Sequence, residues 1–312
     1  MARVSDTYTA PTQASGYSPS VSTEFAMIGK IAYSVIREVV AKNPLSEFMK
    51  ANIENGDTIE QAIVKLVESS AYDSTGAGAL SRDTTVKMAV RYFKNWTRKK
   101  YKTTVDMIEL RKYLEGSTSA EEVATKLVSV LGQSDIHDLY QGIKGLLAWG
   151  STNGSNGSND TALVNVGTVA ALTTSIDYKG ILKKVKDTVS GMSFVNNSFN
   201  KGGILRATNK DDIIVVMPYS IKNSIDVDEL TGFFNLSKGE IKNKIIELDT
   251  TDNKIYVLDK NSILVYTRLY QMLDQLNADG AFYNYFLHVE RLFAISPLFD
   301  GAFFTYAEPT VE

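Results

Sequence analysis

Apolar and polar residues between positions 56 and 105 follow the spacing of strands. Residues 86–92 alternate between apolar and polar or small side chains, which is the two-residue period of a strand. An earlier apolar segment, residues 59–67, leads into a tip rich in glycine and serine. The pattern predicts two long arms joined at that tip, a hairpin-like protrusion. Because half-apolar faces on a protrusion need a partner, we expect them to bury surface on a neighbouring chain.

A helical spacing of apolar residues begins after the protrusion. Ser119 and Glu122 form a capping-box pattern, and Gly132 is a typical residue for ending a helix. Ser134 then caps a second helix. Two carboxylates in its first turn complement the positive end of that helix: Asp135 and Asp138. The sequence therefore predicts two consecutive helices.

The first residues of the chain contain little that could form a core. Residues 1–22 are rich in Ser, Thr, Ala, Pro and Tyr, which predicts either a disordered tail or an extended arm that orders on a neighbouring chain. Residues 24–41 have apolar side chains at helical spacing, although their β-branching also allows an extended conformation. Asn43-Pro44 ends this element, because a residue before proline is disfavoured in the helical region.

An α/β pattern follows the low-complexity segment at residues 150–160. It starts with an amphipathic helix from Tyr178 to Val189 and a buried strand from Ile213 to Met217. Residues 224–241 predict a helix, a break and a short helix that Ser237 caps together with Glu240. Residues 244–249 and 254–266 predict three strands, the last two joined by a turn at residues 259–261.

The last long apolar segment, residues 282–306, predicts an extended strand. A strand of fourteen residues would measure about 45 Å at ~3.3 Å per residue, which suits an elongated sheet backed by a helix. His288 and Glu290 share one face and could act as an acid–base pair, but a polar cross-strand contact is the interpretation we favour. His137 lies with polar residues on the outer face of its helix, which indicates a solvated histidine.

Composition narrows the possible functions. The chain has 312 residues, a formal net charge of −3 and no cysteine, so disulfides, thiolate catalysis and cysteine-ligated zinc are excluded. No apolar run approaches the ~18 residues that span a bilayer. The first residues lack the apolar segment of a secretory signal, so we expect a cytoplasm-like compartment. No phosphate-binding loop, dinucleotide fingerprint or nucleophile elbow occurs, and no acidic segment has the ligand-rich loop of a calcium site.

A basic segment interleaved with aromatic residues, "RYFKNWTRKKYK", occupies residues 91–102. Such a segment can bind single-stranded nucleic acid or carboxylates on a neighbouring subunit. The acidic net charge and the lack of a nucleic-acid-binding motif favour subunit contacts. The residues predicted to make them are Arg91, Lys94, Trp96, Arg98, Lys99, Lys100 and Lys102.

Several segments resemble one protein family in their order along the chain. They are "VIREVVAKNPLSEF", "GDTIEQAIV", "IDVDELTGFFNLSKGEI", and "ILVYTRLYQM" followed by "GAFYNYFLHVERLFAISPLFDGAFFTY". Together they are similar to the major capsid proteins of short-tailed bacteriophages of the phi twenty-nine group. The resemblance implies an α+β chain with the Hong Kong 97-type capsid fold. In that fold, the closing strand is structural and His288 is not catalytic.

The resemblance also implies a division of the chain. The expected parts are an N-terminal arm and first helix at 1–55, an extended loop at 56–105, a peripheral domain with a spine-like helix at 106–175, an axial domain at 176–265, and a return to the peripheral domain at 266–312. Some relatives append an immunoglobulin-like module. Since this chain ends soon after its last predicted strand, we expect no such module here.

The resemblance further implies a function without enzymatic activity, cofactors or metals. The expected role is a major capsid protein that self-assembles through hexamers and pentamers into the icosahedral or prolate head of a tailed phage. Expected partners are scaffolding and portal proteins and packaged double-stranded DNA, bound without sequence specificity, with no membrane. The expected location is the virion, after assembly in the host cytoplasm. An encapsulin-like cellular compartment of the same fold is the alternative; an enzyme using His288 and Glu290 is a third possibility.

Overall fold

The computed structural model describes residues 40–53, 56–67, 69, 71–72, 74–76, 88–106, 120–152, 162–173, 175–228 and 245–309. Several sequence predictions lie outside these residues: the arm at 1–22, the element at 24–39, most of the loop tip, and the Ser237–Glu240 capping box. Across the described part of the chain, no helix is both long and apolar enough to cross a membrane.

The predicted protrusion contains an antiparallel strand pair. β1 (Ile59–Val64) pairs with β2 (Met88–Phe93), and the register places Ile59 opposite Phe93 and Val64 opposite Met88. The alternating pattern at residues 88–92 thus identified a strand correctly. We call β1 and β2 together the hairpin. β3 (Trp96–Asp106) follows after two residues and belongs to a different sheet.

A single helix of 31 residues, α1 (Ala120–Gly150), replaces the two helices that the sequence predicted. The break expected at Gly132 and Ser134 was wrong. Helical spacing continues through it, so the buried side chains of Leu131, Leu139, Ile143 and Leu147 share one stripe. A glycine inside a helix costs only about 1 kcal/mol relative to alanine, which burial along the stripe outweighs. His137 is exposed, as predicted.

The core of the α/β part is a mixed five-stranded sheet. Its strands are β4 (Val164–Val169), β5 (Ile213–Pro218), β6 (Ile245–Leu248), β7 (Lys254–Asp259) and β10 (Gly301–Tyr306). Their order in the sheet is β4-β10-β7-β5-β6. β5 is parallel to β6 and antiparallel to β7, and all its residues are buried. The continuous apolar run in its sequence is what a strand covered on both faces requires.

Helices cover both faces of this sheet. Ile214 and Val216 of β5 pack in a cluster with residues of α1, while Ile213 and Val215 pack in a second cluster. That second cluster includes α2 (Tyr178–Met192) and α3 (Tyr219–Asp228). The Asp177 carboxylate caps α2 by accepting from the Gly180 amide at 2.9 Å. The helix predicted from Tyr178 to Val189 and the central strand predicted from Ile213 to Met217 are therefore confirmed.

The segment predicted as one closing strand, residues 282–306, is two strands in two sheets. β9 (Phe282–Ile295) lies between β3 and β8 (Ile263–Asn277) in a three-stranded sheet. β10 instead pairs with β7 and β4. Pro297 lies in the break, where its missing amide cannot continue a ladder. The fourteen-residue length expected for the first strand is confirmed.

Contacts group the chain into two compact units. The first consists of Met1–Val40, Tyr101–Ser134 and Met272–Leu287. Within it, Thr104 Oγ1 donates to Asn284 Oδ1 at 2.7 Å, and the Lys102 ammonium lies 5.6 Å from the centre of the Phe286 ring. The second unit consists of Ala41–Lys100, Asp135–Gln271 and His288–Glu312. It contains the hairpin and the five-stranded sheet.

A buried ion pair joins α1 to β9 in the second unit. The guanidinium of Arg291 donates to both carboxylate oxygens of Asp135, with Nη2 at 2.7 Å from Oδ2, and its Nε lies 3.3 Å from Thr267 Oγ1. Asp135 is 2% exposed and Arg291 is 8% exposed. Asp135 is thus a buried partner of β9 rather than the helix-capping carboxylate that the sequence suggested.

Replacing Asp135 with alanine should lower the free energy of unfolding by about 3–5 kcal/mol, because it leaves the buried Arg291 charge without a partner. Asp138→Ala is the matched control, since Asp138 pairs with Lys99 in a partly exposed contact and should lose less than about 1 kcal/mol. Urea unfolding followed by circular dichroism measures both. Equal losses in the two variants would contradict a special role for the buried pair.

Candidate interaction site on the hairpin

The hairpin and the residues that continue β1 present apolar side chains to solvent. Each is more than half exposed: Val64, Leu66, Val67, Tyr72, Met88 and Tyr92. Val64 and Met88 are cross-strand neighbours, so they form a continuous patch. Contiguous exposed apolar surface on a protein marks a site for a partner. The exposed apolar residues of the hairpin therefore make it a candidate contact surface, as the sequence analysis predicts for the protrusion.

A set of charged and aromatic residues lies where the hairpin joins the rest of its unit. Arg268 of β8 donates from Nη2 to Glu290 Oε1 at 2.7 Å and from Nε to Glu290 Oε2 at 3.1 Å. Its Nη1 donates to the Asp57 carboxylate and lies 3.3 Å from the carbonyl oxygen of Gly56. The guanidinium also lies 4.8 Å from the centre of the Trp96 ring. We call these five residues the root cluster.

Hydrogen bonds from arginines shift the titration of the central carboxylate. The pKa of Glu290 is lowered chiefly by its hydrogen bonds with Arg268, against the opposing effect of burial, and further by Arg98. Arg98 Nη2 lies 3.3 Å from Glu290 Oε2. Glu290 is therefore a carboxylate that both arginines stabilise in its charged form.

The residues predicted to contact a neighbouring subunit divide into groups. Trp96 donates from Nε1 to the Asp57 carbonyl at 2.8 Å, Arg98 pairs with Glu290, and Lys99 Nζ lies 3.0 Å from Asp138 Oδ2. Lys100 and Lys102 are exposed on β3. Arg91 and Lys94 are exposed and form no ion pair with any residue that the structure describes. Contact with another subunit remains a prediction for all seven, and Arg91 and Lys94 are the best placed to make it.

The acid–base pair considered for His288 and Glu290 does not have the geometry of a catalytic site. Both oxygens of Glu290 accept from guanidinium groups, whereas a general base needs an oxygen that can reach a substrate proton. A cavity of about 630 Å³ lies elsewhere, and neither residue lines it. Its lining residues include Lys42, Tyr140 and Asp249.

Sequence reasoning did not identify Arg268 or Asp57, although both belong to the root cluster. The sequence did contain an indication of this pair. Arg268 interrupts a mainly apolar segment of β8, and an arginine that is buried requires a carboxylate partner. Which carboxylate it finds depends on strand pairing, since Asp57 is 211 positions away in the chain. Only the fold brings them together.

A family model describing the Phi29-like phage major capsid protein matches residues 9–305. The chain belongs to this family. Among its curated relatives, the major capsid protein of Bacillus phage GA-1 is 25% identical over 276 residues, covering 86% of this chain and 57% of the relative. The major capsid protein of Streptococcus phage Cp-1 is 22% identical over 303 residues, covering 91% and 82%. The chain thus spans little more than half the length of the Bacillus phage relative.

Solved structures agree with this assignment. A capsid structure of Staphylococcus phage Andhra matches with a TM-score of 0.69 at 13% identity, covering 89% of this chain and 87% of that one. The capsid of a native GTA particle matches with a TM-score of 0.60 at 13% identity, covering 89% and 94%. Likeness at this level of identity shows the fold, so the expected α+β, Hong Kong 97-type capsid fold is confirmed.

The lowered pKa of Glu290 predicts how the root cluster responds to acid. A carboxylate with a depressed folded-state pKa contributes stability above its unfolded pKa, about 4.3, and loses it as the pH falls through the folded value. Glu290→Gln should therefore be less stable than the parent protein at pH 7, and this difference should shrink steadily as the pH falls below about 4.3.

Urea unfolding over a series of pH values measures that difference. Glu60→Gln is the control, because Glu60 lies exposed on β1 and its replacement should change stability little at any pH. A difference between Glu290→Gln and the parent that stays constant into acid would contradict the assignment.

Proposed function

We propose that this protein is the major capsid protein of a tailed bacteriophage, which self-assembles into the closed head shell that encloses double-stranded DNA. Family membership supports the proposal, as do structural neighbours that are capsid proteins. The observation on this chain that carries it is the hairpin, whose apolar surface is exposed in the single subunit. A surface of this kind is consistent with a protein whose working state is an assembly.

The hairpin surface would be covered by a neighbouring copy. Burying a side chain the size of valine or methionine contributes about 1.5–3 kcal/mol, and a closed shell repeats each contact at every equivalent position. Arg91 and Lys94 would face carboxylates of that neighbour. Charges at the rim of an interface contribute more to register and partner choice than to affinity.

The expected division of the chain fits this role as a proposal. The arm at 1–55 and the extended loop at 56–105 would reach neighbouring subunits. The parts at 106–175 and 266–312 would form the peripheral domain, and 176–265 the axial domain. Subunits would form hexamers and pentamers in a head located in the virion and built in the host cytoplasm.

Other partners follow from the same proposal. Scaffolding and portal proteins would take part in assembly, and packaged DNA would be enclosed without sequence specificity. Catalysis, cofactors and a membrane have no part in it. The family assignment to a phage capsid protein disfavours an encapsulin-like compartment.

The proposal is tested by removing apolar area from the hairpin. Val64→Thr with Met88→Thr keeps the strand propensity but removes part of the apolar area that a neighbour could bury and adds two hydroxyl groups to it. We expect folded subunits that need a concentration about tenfold higher or more to form shells, since ~1.4 kcal/mol corresponds to a factor of ten. Circular dichroism measures folding, and electron microscopy with sedimentation measures assembly.

Leu172→Thr is the control for this experiment, because Leu172 is 53% exposed and lies outside the hairpin. Its assembly should match that of the parent protein. Normal shell formation by the double hairpin variant would count against the proposal, and so would a parent protein that forms no shells under any assembly condition.

A separate experiment tests the basic residues. Arg91→Glu with Lys94→Glu should leave the subunit folded, since exposed charges contribute little to stability, and should block assembly because like charges across an interface cost several kcal/mol. Lys183→Glu with Lys186→Glu on α2 makes the same charge change elsewhere. Shells that form normally but retain DNA poorly, with greater sensitivity to salt, would instead indicate a role in DNA binding.

A further inference from the structure

The hairpin is attached to its unit by two short connections. Residues 56–58 lead into β1, and residues 94–95 lead from β2 to β3. Among the residues that the structure describes, the hairpin forms its own two-stranded sheet, and no ladder continues from it into the three-stranded sheet. Gly56 has a φ of +103°, a conformation that glycine adopts without strain. The connections alone therefore leave the direction of the hairpin poorly determined.

One side chain, Arg268, contacts both connections. On the first, it bonds the Asp57 carboxylate and the Gly56 carbonyl. On the second, it stacks on Trp96, the residue directly after the connection. Trp96 Nε1 in turn donates to the carbonyl of Asp57 at 2.8 Å. The two ends of the hairpin are thus joined to each other and to a single guanidinium.

Arg268 is itself held from the opposite side. Its Nε and Nη2 form a bidentate pair with Glu290 of β9, which is 7% exposed. A small apolar cluster accompanies this contact and includes buried Ile59, Leu264 and Leu292. All three guanidinium nitrogens therefore have partners, two toward β9 and one toward the hairpin.

We propose that Arg268 is the positioning residue of the hairpin: it fixes the direction in which the hairpin leaves the subunit, so that each copy presents its contact surface in the orientation that assembly needs. This inference rests on the proposed function. Association of a surface that must first be ordered is weaker, because the ordering costs free energy. A hairpin already held in place avoids that cost at every contact.

The chemistry of the side chain explains why an arginine is needed. A guanidinium is planar, can pair bidentately with Glu290, and still offers a face to Trp96 and a nitrogen to Asp57. A lysine ammonium carries the same charge but cannot make the bidentate pair and the stack together. Arg268→Lys should therefore disturb the position of the hairpin less than Arg268→Gln does, but more than the parent protein shows.

The direction of the hairpin can be measured without touching the root cluster. Since the chain has no cysteine, Ala62→Cys on β1 and Ser190→Cys on α2 give two specific spin-label sites, both exposed and both in the second unit. Double electron–electron resonance is measured on subunits that are too dilute to assemble. With Arg268 present, the distance between the two spin labels should show one narrow distribution. Arg268→Gln should broaden the distribution, and Arg268→Lys should broaden it less. Arg91→Gln, an exposed arginine on the hairpin itself, should leave it unchanged.

Assembly of the same variants completes the test. Arg268→Gln should lose shell formation while circular dichroism stays at that of the parent. An unchanged distance distribution in Arg268→Gln overturns the inference, whatever the assembly result. So does a broadened distribution accompanied by unfolding of the whole subunit, or one that Arg91→Gln reproduces. A broadened distribution in a folded variant that still forms normal shells supports positioning of the hairpin by Arg268. The same result contradicts the proposed role of the hairpin in assembly.

Discussion

Two adjacent residues of β9 connect the parts of the second unit, because neighbouring side chains on a strand point to opposite faces. Arg291 faces α1 and pairs with Asp135, and Glu290 faces the root of the hairpin and pairs with Arg268 and Arg98. The strand thus presents a positive charge on one side and a negative charge on the other. Each meets a complementary partner that belongs to a different element.

These two ion pairs fix the register of β9 more than they increase the free energy of unfolding. A buried ion pair gains little over apolar packing, because desolvation offsets most of the attraction, but breaking it is costly. A slip of β9 by one residue would exchange its two faces. A slip in one direction would bring Glu290 to the site of Arg291, beside Asp135, and a slip in the other direction would bring Arg291 to the site of Glu290, beside Arg268. One like-charge contact therefore opposes each of the two nearest misregistered structures, while the apolar residues of β9 alone would discriminate less sharply between its faces.

The sequence could predict those elements whose spacing is unambiguous. The buried run of β5, the alternation of β2 and the capped helix α2 depend on local patterns, and each was identified. The continuity of α1 was missed because glycine and serine are strong local signals for a helix end. The burial of Asp135 against Arg291, which supports a continuous helix, involves residues 156 positions apart. The root cluster was missed for the same reason, since no local pattern pairs Arg268 with Asp57.

The basic segment at residues 91–102 contains cations in two different environments. Read locally, its cations look equivalent, and a prediction of subunit contact applies to all of them. In the fold, Arg98 and Lys99 meet carboxylates of their own chain, where reversing their charge would disturb the subunit before any neighbour was involved. Arg91 and Lys94 lie on or next to β2, with no such partner among the described residues. A charge that is already paired within the subunit interacts only weakly with a charge on a neighbour. An exposed charge beside exposed apolar surface can instead set the register of that surface on another copy. Within this run, Arg98 and Lys99 thus contribute to contacts of the subunit itself, and Arg91 and Lys94 are the cations that we propose for contact with another copy.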